Sequence, residues 1–419
     1  MRVEIVTIGA ELLLGFTVDT NAAFLARALS EIGVEVTRRT TVADDPDQIA
    51  SAVRAALDRT GGVVTTGGLG PTADDRTRQT LAALFGRALH RDDAIMARME
   101  QRFRQYGSAI PASNVVQAMV PDGARVLENS QGTAPGLWLE DERGRWVAML
   151  PGVPREMRAM TAGVLVPLLR QRAGSGDEER VVLSRTLRTT GIGESALAER
   201  LAEDGGDTVD GLPLAFLPAW EGVDLRLTAT DLSRDAACAA LDRAAAKLRS
   251  HVPRYVYGED GTDLAAVVLD LCRASGLHIA TAESCTGGLL GARITAIPGS
   301  SDVYAGGVIA YANRVKQQLL GVSEDMLREH GAVSEPVAQA MATGVREMLA
   351  TDIGIGITGI AGPGGGTPEK PVGTVCIAVD VGGRRESVGR RFLADRDEIR
   401  HRSTQAALDM VRRELTGEG

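Results

Sequence analysis

Ser284 stands where an apolar run over 277–282 meets the glycine pair Gly287 and Gly288, in the stretch Ala282, Glu283, Ser284, Cys285, Thr286. A second apolar run, 306–311, closes with Tyr311, and Lys316 follows it. A serine hydroxyl is a poor nucleophile at its own pKa and needs a base within hydrogen-bond reach, and Ser–Lys pairs are one recognised arrangement. A lysine base must be partly neutral, which burial can bring about. His278, His330 and His401 lie in this part of the chain, but none sits in a glycine-flanked loop, and no Gly-x-Ser-x-Gly elbow occurs. Lys316 is therefore the candidate base, and Tyr311 either passes the proton between lysine and serine or orients the lysine. The N–H groups of Thr286, Gly287 and Gly288, at a helix start, are candidate oxyanion donors. Spacing alone equally admits Ser284 as a helix cap, Tyr311 as a core aromatic and Lys316 as a surface residue. Cys285 is a rival nucleophile, but no histidine is near it in sequence, and it reads as a small buried side chain.

A second group of residues lies near the N-terminus. Gly67, Gly68, Leu69 and Gly70 follow a strand-like run and precede a helical pattern over 77–85, with Asp74 and Asp75 between. Glycines let backbone N–H groups approach a phosphate, and a following helix start adds partial positive charge. Magnesium commonly bridges one or two carboxylates to substrate phosphates, which suits Asp74 and Asp75; the plainer alternative makes Asp75 a helix cap and the glycines a simple turn. Asn21 and the loops at 9–15, 132–136 and 151–156 add further strand-end positions in the same region. A later glycine run, 359–366, also follows a strand.

These residues need rigid elements to position them. Apolar β-branched runs at 3–8, 34–42 and 62–66 alternate with helical spacing at 20–32 and 46–59, the pattern of a parallel sheet flanked by helices over roughly residues 1–170. Ligands in such sheets bind beyond the C-terminal ends of the strands. Residues 171–180 are polar and contain Gly and Ser, which reads as a linker. A small α/β module without a catalytic constellation extends to 255, a spacer or an oligomer contact in which Gly191 to Ser195 start a helix. A third α/β unit covers 256–419, with helices at 263–274, 288–295, 337–349 and 395–415 and strands at 277–282, 306–311 and 353–358.

Composition narrows the function classes. The chain has 419 residues, enough for two or three domains of about 100 to 200 residues. Its net charge of −9 is dispersed, and no basic block with interleaved aromatics occurs, which argues against a nucleic-acid surface. Four scattered cysteines form neither a Cys-x-x-Cys pair nor a metal-type spacing, so a reducing cytoplasm is expected. The opening residues enter a strand-like run without the apolar core of a signal peptide, and no run of about 18 apolar residues predicts a membrane span.

The segments 9–21, 66–77 and 132–136 and the loop from Pro151 together resemble the N-terminal half of the CinA (competence/damage-inducible protein A) family, related to molybdopterin-binding domains. The resemblance implies cleavage of ADP-ribose at its pyrophosphate, with Mg²⁺ or a similar divalent ion at Asp74 and Asp75 and substrate at Asn21, Gly67, Gly68 and Gly70. Val153 and Arg155 stand where that family more often has proline and serine. The stretches 282–288, 307–311 with Lys316, and 358–363 with 370–373 resemble the C-terminal CinA domain. That resemblance implies hydrolysis of the amide of nicotinamide mononucleotide to nicotinic acid mononucleotide and ammonia, with no metal. Ser284, Tyr311 and Lys316 are then catalytic. Thr286, Gly287, Gly288, Thr358, Gly359 and Gly362 contact substrate, with Arg396 or Arg400 from the last helix. A homodimer handling small nucleotides, with no nucleic-acid or membrane partner, is the expected state. Two competing classes are a molybdopterin-binding or adenylylating enzyme and a non-catalytic adaptor in DNA uptake or repair; the acidic composition weighs against the adaptor.

Overall fold

The structure, a computed structural model, describes residues 1–105, 107–173, 180–202 and 206–417. Most of the expected linker, residues 174–179, lies outside them. The chain forms two compact units, Met1–Leu183 with Ala229–Ala239, and Ser184–Thr228 with Ala240–Gly419.

In the first unit the strand Arg2–Ile8 is buried from Val3 onward on both faces, as an interior strand of a parallel sheet must be. It pairs in parallel with Glu35–Val42 on one side and Gly62–Thr66 on the other, and Gly62–Thr66 pairs in parallel with Trp146–Leu150. Two further strands of this sheet join through antiparallel pairs, Gly136–Glu140 with Trp146–Leu150 and Arg125–Leu127 with Gly136–Glu140. Only residues 141–145 join Gly136–Glu140 to Trp146–Leu150, too few for the crossover that parallel pairing requires. The sheet is thus parallel at its centre with an antiparallel edge, where the sequence pattern implied parallel strands throughout. The covering helices start at side-chain caps: Asp19 accepts from the Ala22 N–H ahead of Thr20–Ser30, and Asp45 from the Gln48 N–H ahead of Pro46–Thr60. Leu25 and Leu29 pack on one face of the sheet, Ile49 and Val53 on the other.

Two further sheets follow along the chain. A five-stranded one comprises Thr208–Val209, Leu212–Pro218, Val223–Ser233, Arg180–Thr189 and Val256–Glu259 in that order. Gly191 adopts φ 76° and Gly193 caps the helix Glu194–Leu201, so this stretch is a helix start. The other sheet has the order Tyr304–Ile309, Ile279–Glu283, Ile353–Gly359, Thr374–Val381, Arg384–Arg391, the first three parallel and the last two antiparallel.

The alternation in Ile353–Gly359 explains its packing. Ile353, Ile355 and Ile357 enter one core with Leu264, Val268, Ile399 and Leu408, from the helices Leu264–Ser275 and Arg396–Thr416. Gly354 and Gly356 face the helix Glu335–Met348, where a Cβ would stand 2.0 Å from the Ala342 carbonyl oxygen and 2.2 Å from that of Ala338. Glycine there lets the helix backbone lie against the strand.

In both units the first parallel strand has its successors on opposite sides. Arg2–Ile8 lies between Glu35–Val42 and Gly62–Thr66, and Ile279–Glu283 between Tyr304–Ile309 and Ile353–Gly359. Such a switch in strand order opens a crevice at the strands' C-terminal ends, where ligands bind.

Candidate active sites

Ser284 follows the central strand Ile279–Glu283 directly and is anchored there, its N–H donating to the Ile357 carbonyl at 2.9 Å. Lys316 comes from the helix Asn313–Leu320. Helical side chains lean toward the N-terminus of their helix, which carries this one back to the strand ends. Its Nζ donates to Ser284 Oγ at 3.0 Å and to the Ala310 carbonyl at 2.7 Å, with the Tyr311 carbonyl at 3.5 Å. The lysine is only 1% exposed, and burial holds its pKa below the ordinary 10.5. Ser284 is itself buried.

A cavity of about 200 Å³ opens beside the pair, walled by Tyr311, Asn313, Thr358, Gly359 and Arg396, with Ala332, Val333 and Ala361 as its apolar part. Cys285 also reaches the wall, but burial pushes its thiol up to about 12, so it stays protonated. Gly359 is required by space, since a Cβ would come within 2.8 Å of Val375 Cγ2 and 3.0 Å of Cys285 Sγ.

Several placements differ from what spacing suggested. The strand ends at Ile309, so Tyr311 lies beyond it and is 63% exposed. Its hydroxyl accepts from Arg396 Nη2 at 3.4 Å; Lys316 meets Ser284 directly, with no relay between them. Ser284 caps no helix: the cap of Leu289–Thr295 is Gly288, without a side-chain bond. The helix start is not open to an oxyanion at the glycines, because the Gly287 N–H donates to the Ser284 carbonyl and the Gly288 N–H to Glu283. Thr286 is fully buried, and the Thr358 hydroxyl donates to the Ala332 carbonyl at 2.8 Å. The two arginines separate. Arg396 lines the cavity and donates to the Gly362 carbonyl, whereas Arg400 donates to the Thr286 carbonyl at 3.0 Å and so braces the nucleophile loop.

The N-terminal loop borders a cavity of about 440 Å³ lined by Gly67, Gly68, Gly70, Asp74, Asp75, Glu11 and Asp44 among others. Its glycines serve close approach: Gly67 has φ 110°, and a Cβ there would stand 2.1 Å from the Ile8 carbonyl oxygen. The N–H groups of Gly67 and Gly70 are used internally, donating to the Leu150 carbonyl at 3.1 Å and to Asp75 Oδ1 at 2.8 Å. Asp75 also accepts from the Thr72 N–H at 2.9 Å and from its hydroxyl, so both its oxygens close the loop; the following helix, Thr77–Leu84, is capped by Arg76, not by Asp75. Asp74 is exposed, and a hydrogen bond from Thr72, whose single hydroxyl proton serves one aspartate at a time, is the largest influence holding its carboxyl below the usual range.

Among the described residues no three His, Cys, Asp or Glu side chains converge to hold a metal by themselves. An ion at Asp74 would complete its shell with substrate oxygens and water, the manner usual for Mg²⁺, and the ionised, solvent-facing carboxylate fits that. Asn21 sits apart on a cavity of about 110 Å³, its amide N donating to Thr66 Oγ1 at 3.1 Å and to the Gly152 carbonyl at 2.8 Å. Sequence reasoning passed over Arg78, a fully buried guanidinium beneath the loop that donates to the Leu69 carbonyl at 3.1 Å and the Val116 carbonyl at 2.8 Å; burial lowers it to about 10. It also missed Asn313.

Family models match in three blocks: a probable molybdopterin binding domain over residues 4–171, a damage-inducible protein CinA KH domain over 184–258, and a CinA C-terminal domain over 261–415. A CinA-like protein of Gemmatimonas aurantiaca is 59% identical over 420 residues, covering 100% of this chain and 97% of its own. The chain belongs to the CinA family. A second CinA-like protein, from Gloeobacter violaceus, is 46% identical, with 98% of this chain and 96% of that protein covered. The crystal structure of a CinA from Thermoplasma acidophilum is 39% identical over 40% of this chain and 97% of that chain, with a TM-score of 0.37. By the family-model matches, the first unit carries the molybdopterin-binding type of α/β fold, with its parallel-rich sheet, and the last sheet is that of the family's C-terminal domain. The small module expected before residue 256 falls within the family's KH block, 184–258. No helix among the described residues is long and apolar enough to cross a membrane.

Proposed function

We propose that the C-terminal domain hydrolyses a carboxamide, that of nicotinamide mononucleotide, through an acyl-enzyme on Ser284. The observation that carries this reading is the 3.0 Å contact between Ser284 Oγ and the buried amine of Lys316. In its neutral form Lys316 takes the hydroxyl proton as Oγ bonds to the carboxamide carbon. The C–N bond then breaks, the same proton goes to the leaving nitrogen, and ammonia departs. Water next attacks the ester, giving a proton to Lys316 that returns to Ser284 as the acid leaves. General-base assistance of this kind contributes about 10²- to 10⁴-fold. Tyr311 and Arg396, paired on the cavity wall, face the substrate outside the proton path, and the Arg396 guanidinium suits the nucleotide phosphate. No step needs a metal. Ammonia release from nicotinamide mononucleotide, measured for the wild type and for Ser284→Ala, tests the assignment: the variant should fall to background, and undiminished release would refute it.

For the N-terminal domain we propose divalent-metal-dependent cleavage of ADP-ribose at its pyrophosphate. The ionised Asp74 on a cavity rimmed by carboxylates supports it, since these groups need a cation before they can accept a phosphate. The ion would neutralise the pyrophosphate and polarise its phosphorus–oxygen bonds, while Asp75 and Arg78 hold the loop in shape. Release of AMP and ribose 5-phosphate with Mg²⁺, abolished by chelator, is the expected outcome; adenylyl transfer to molybdopterin without ADP-ribose turnover would favour the adenylylating alternative.

A further inference from the structure

We infer that Glu283 is a positioning residue for the nucleophile, a buried carboxylate that fixes the loop carrying Ser284 without entering the substrate cavity; this rests on the amidase reading above. Glu283 is the last residue of the central strand and 2% exposed. Its Oε2 accepts from the Gly288 N–H at 3.0 Å and the Leu290 N–H at 3.0 Å, and its Oε1 from the Gly291 N–H at 2.8 Å. No cation partners it in these contacts; three N–H groups at the start of Leu289–Thr295 do so instead. Its backbone is fixed as well, the carbonyl accepting from the Ala310 N–H at 2.7 Å. Because Ser284 is the next residue, one side chain ties the strand end to the helix start across the whole nucleophile loop. Ala310 links that loop to the base, since its carbonyl holds Lys316 Nζ.

A side chain at Gly291 would crowd the same corner: a Cβ there would lie 2.8 Å from the Tyr304 hydroxyl and 3.5 Å from Glu283 Oε1. A buried carboxylate accepting three N–H bonds is a strong, charge-assisted lock, and a neutral amide of the same shape turns a donor toward those N–H groups. Glu283→Gln should therefore loosen the loop while leaving the cavity wall intact. A displacement of about 1 Å at a reacting atom costs on the order of 100-fold.

The test measures two things in the full-length protein: hydrogen exchange at the amides of Gly288, Leu290 and Gly291, and steady-state ammonia release from nicotinamide mononucleotide. In Glu283→Gln, exchange at these amides should quicken by about 10-fold or more, and kcat should fall by about 100-fold at nearly unchanged KM. Glu283→Asp, which keeps the charge on a shorter arm, should lie between and serves if the glutamine variant does not fold. Unchanged kcat, unchanged exchange, or a loss residing in KM would overturn the inference. Wild-type protein that releases no ammonia would instead sink the amidase reading, and the exchange result would then decide the lock by itself.

Discussion

Replacing Lys316 by methionine separates catalysis from folding. The side chain is 1% exposed, and its amine is engaged by Ser284 Oγ at 3.0 Å and the Ala310 carbonyl at 2.7 Å. Methionine keeps most of the stem's volume and removes the amine. Leaving a buried carbonyl without its donor costs about 1 to 3 kcal/mol. Against this stands the cost of holding an ammonium away from water, several kcal/mol per buried ion before its contacts are counted, which the wild type bears and the variant does not. The two terms oppose each other, so the change in stability should stay within about 2 kcal/mol. Catalysis has no such compensation, because Ser284 loses the base it touches, and kcat should fall by about 10²- to 10⁴-fold. Thermal or denaturant unfolding beside ammonia release on the same preparations reads both quantities. A folded variant within tenfold of wild-type kcat would refute the assignment of Lys316 as base.

Other outcomes follow from the same geometry. Burial lowers the Lys316 pKa below 10.5, and the neutral form is the base, so kcat/KM should rise with pH through that lowered pKa and level off above it; a profile falling over that range would contradict the role. The linked stability has the same sign: between the lowered value and 10.5 the unfolded chain binds more protons, so this group's contribution to stability increases as pH rises, which denaturation at stepped pH would show. Arg396→Ala should act mainly on KM, because the guanidinium lines the cavity, and Arg400→Ala mainly on kcat, because it holds the Thr286 carbonyl; titrating substrate in both variants distinguishes them. Asp74→Asn should abolish metal-dependent ADP-ribose cleavage with little change in stability, whereas Asp75→Asn should destabilise the first unit by about 1 to 3 kcal/mol through loss of its loop bonds; unfolding curves and a metal titration check both, and the reverse pattern would overturn the division.

What the sequence disclosed depended on how local the signal was. Alternating apolar and helical runs marked the two sheets, and the short apolar run before Ser284 marked the strand end where a crevice forms. The antiparallel edge at Gly136–Glu140 was hidden because a five-residue apolar run does not carry strand direction; the brevity of the 141–145 connection does, once the strands are known. The pairing of Ser284 with Lys316 was legible from residue types, since no suitable histidine competed. Glu283 was not, because nothing in its type or position tells whether its side chain turns toward solvent or back onto the N–H groups five to eight residues ahead. Asp75 misled in the opposite way: a carboxylate beside glycines suits a metal ligand or a helix cap, and only the fold shows its two oxygens turned inward on Gly70 and Thr72. Arg396 and Arg400, one helical turn apart, are interchangeable by spacing, and their roles diverge because one reaches the cavity and the other the loop behind it.

Acylation of Ser284 by a carboxamide substrate is read out by intact-mass measurement of enzyme quenched rapidly after mixing with nicotinamide mononucleotide. The expected result is an adduct equal to the nicotinic acid mononucleotide acyl group, located on Ser284, absent from Ser284→Ala, and accumulating as ammonia appears. Ammonia release with no covalent species at any quench time, or an adduct on Cys285, would contradict it.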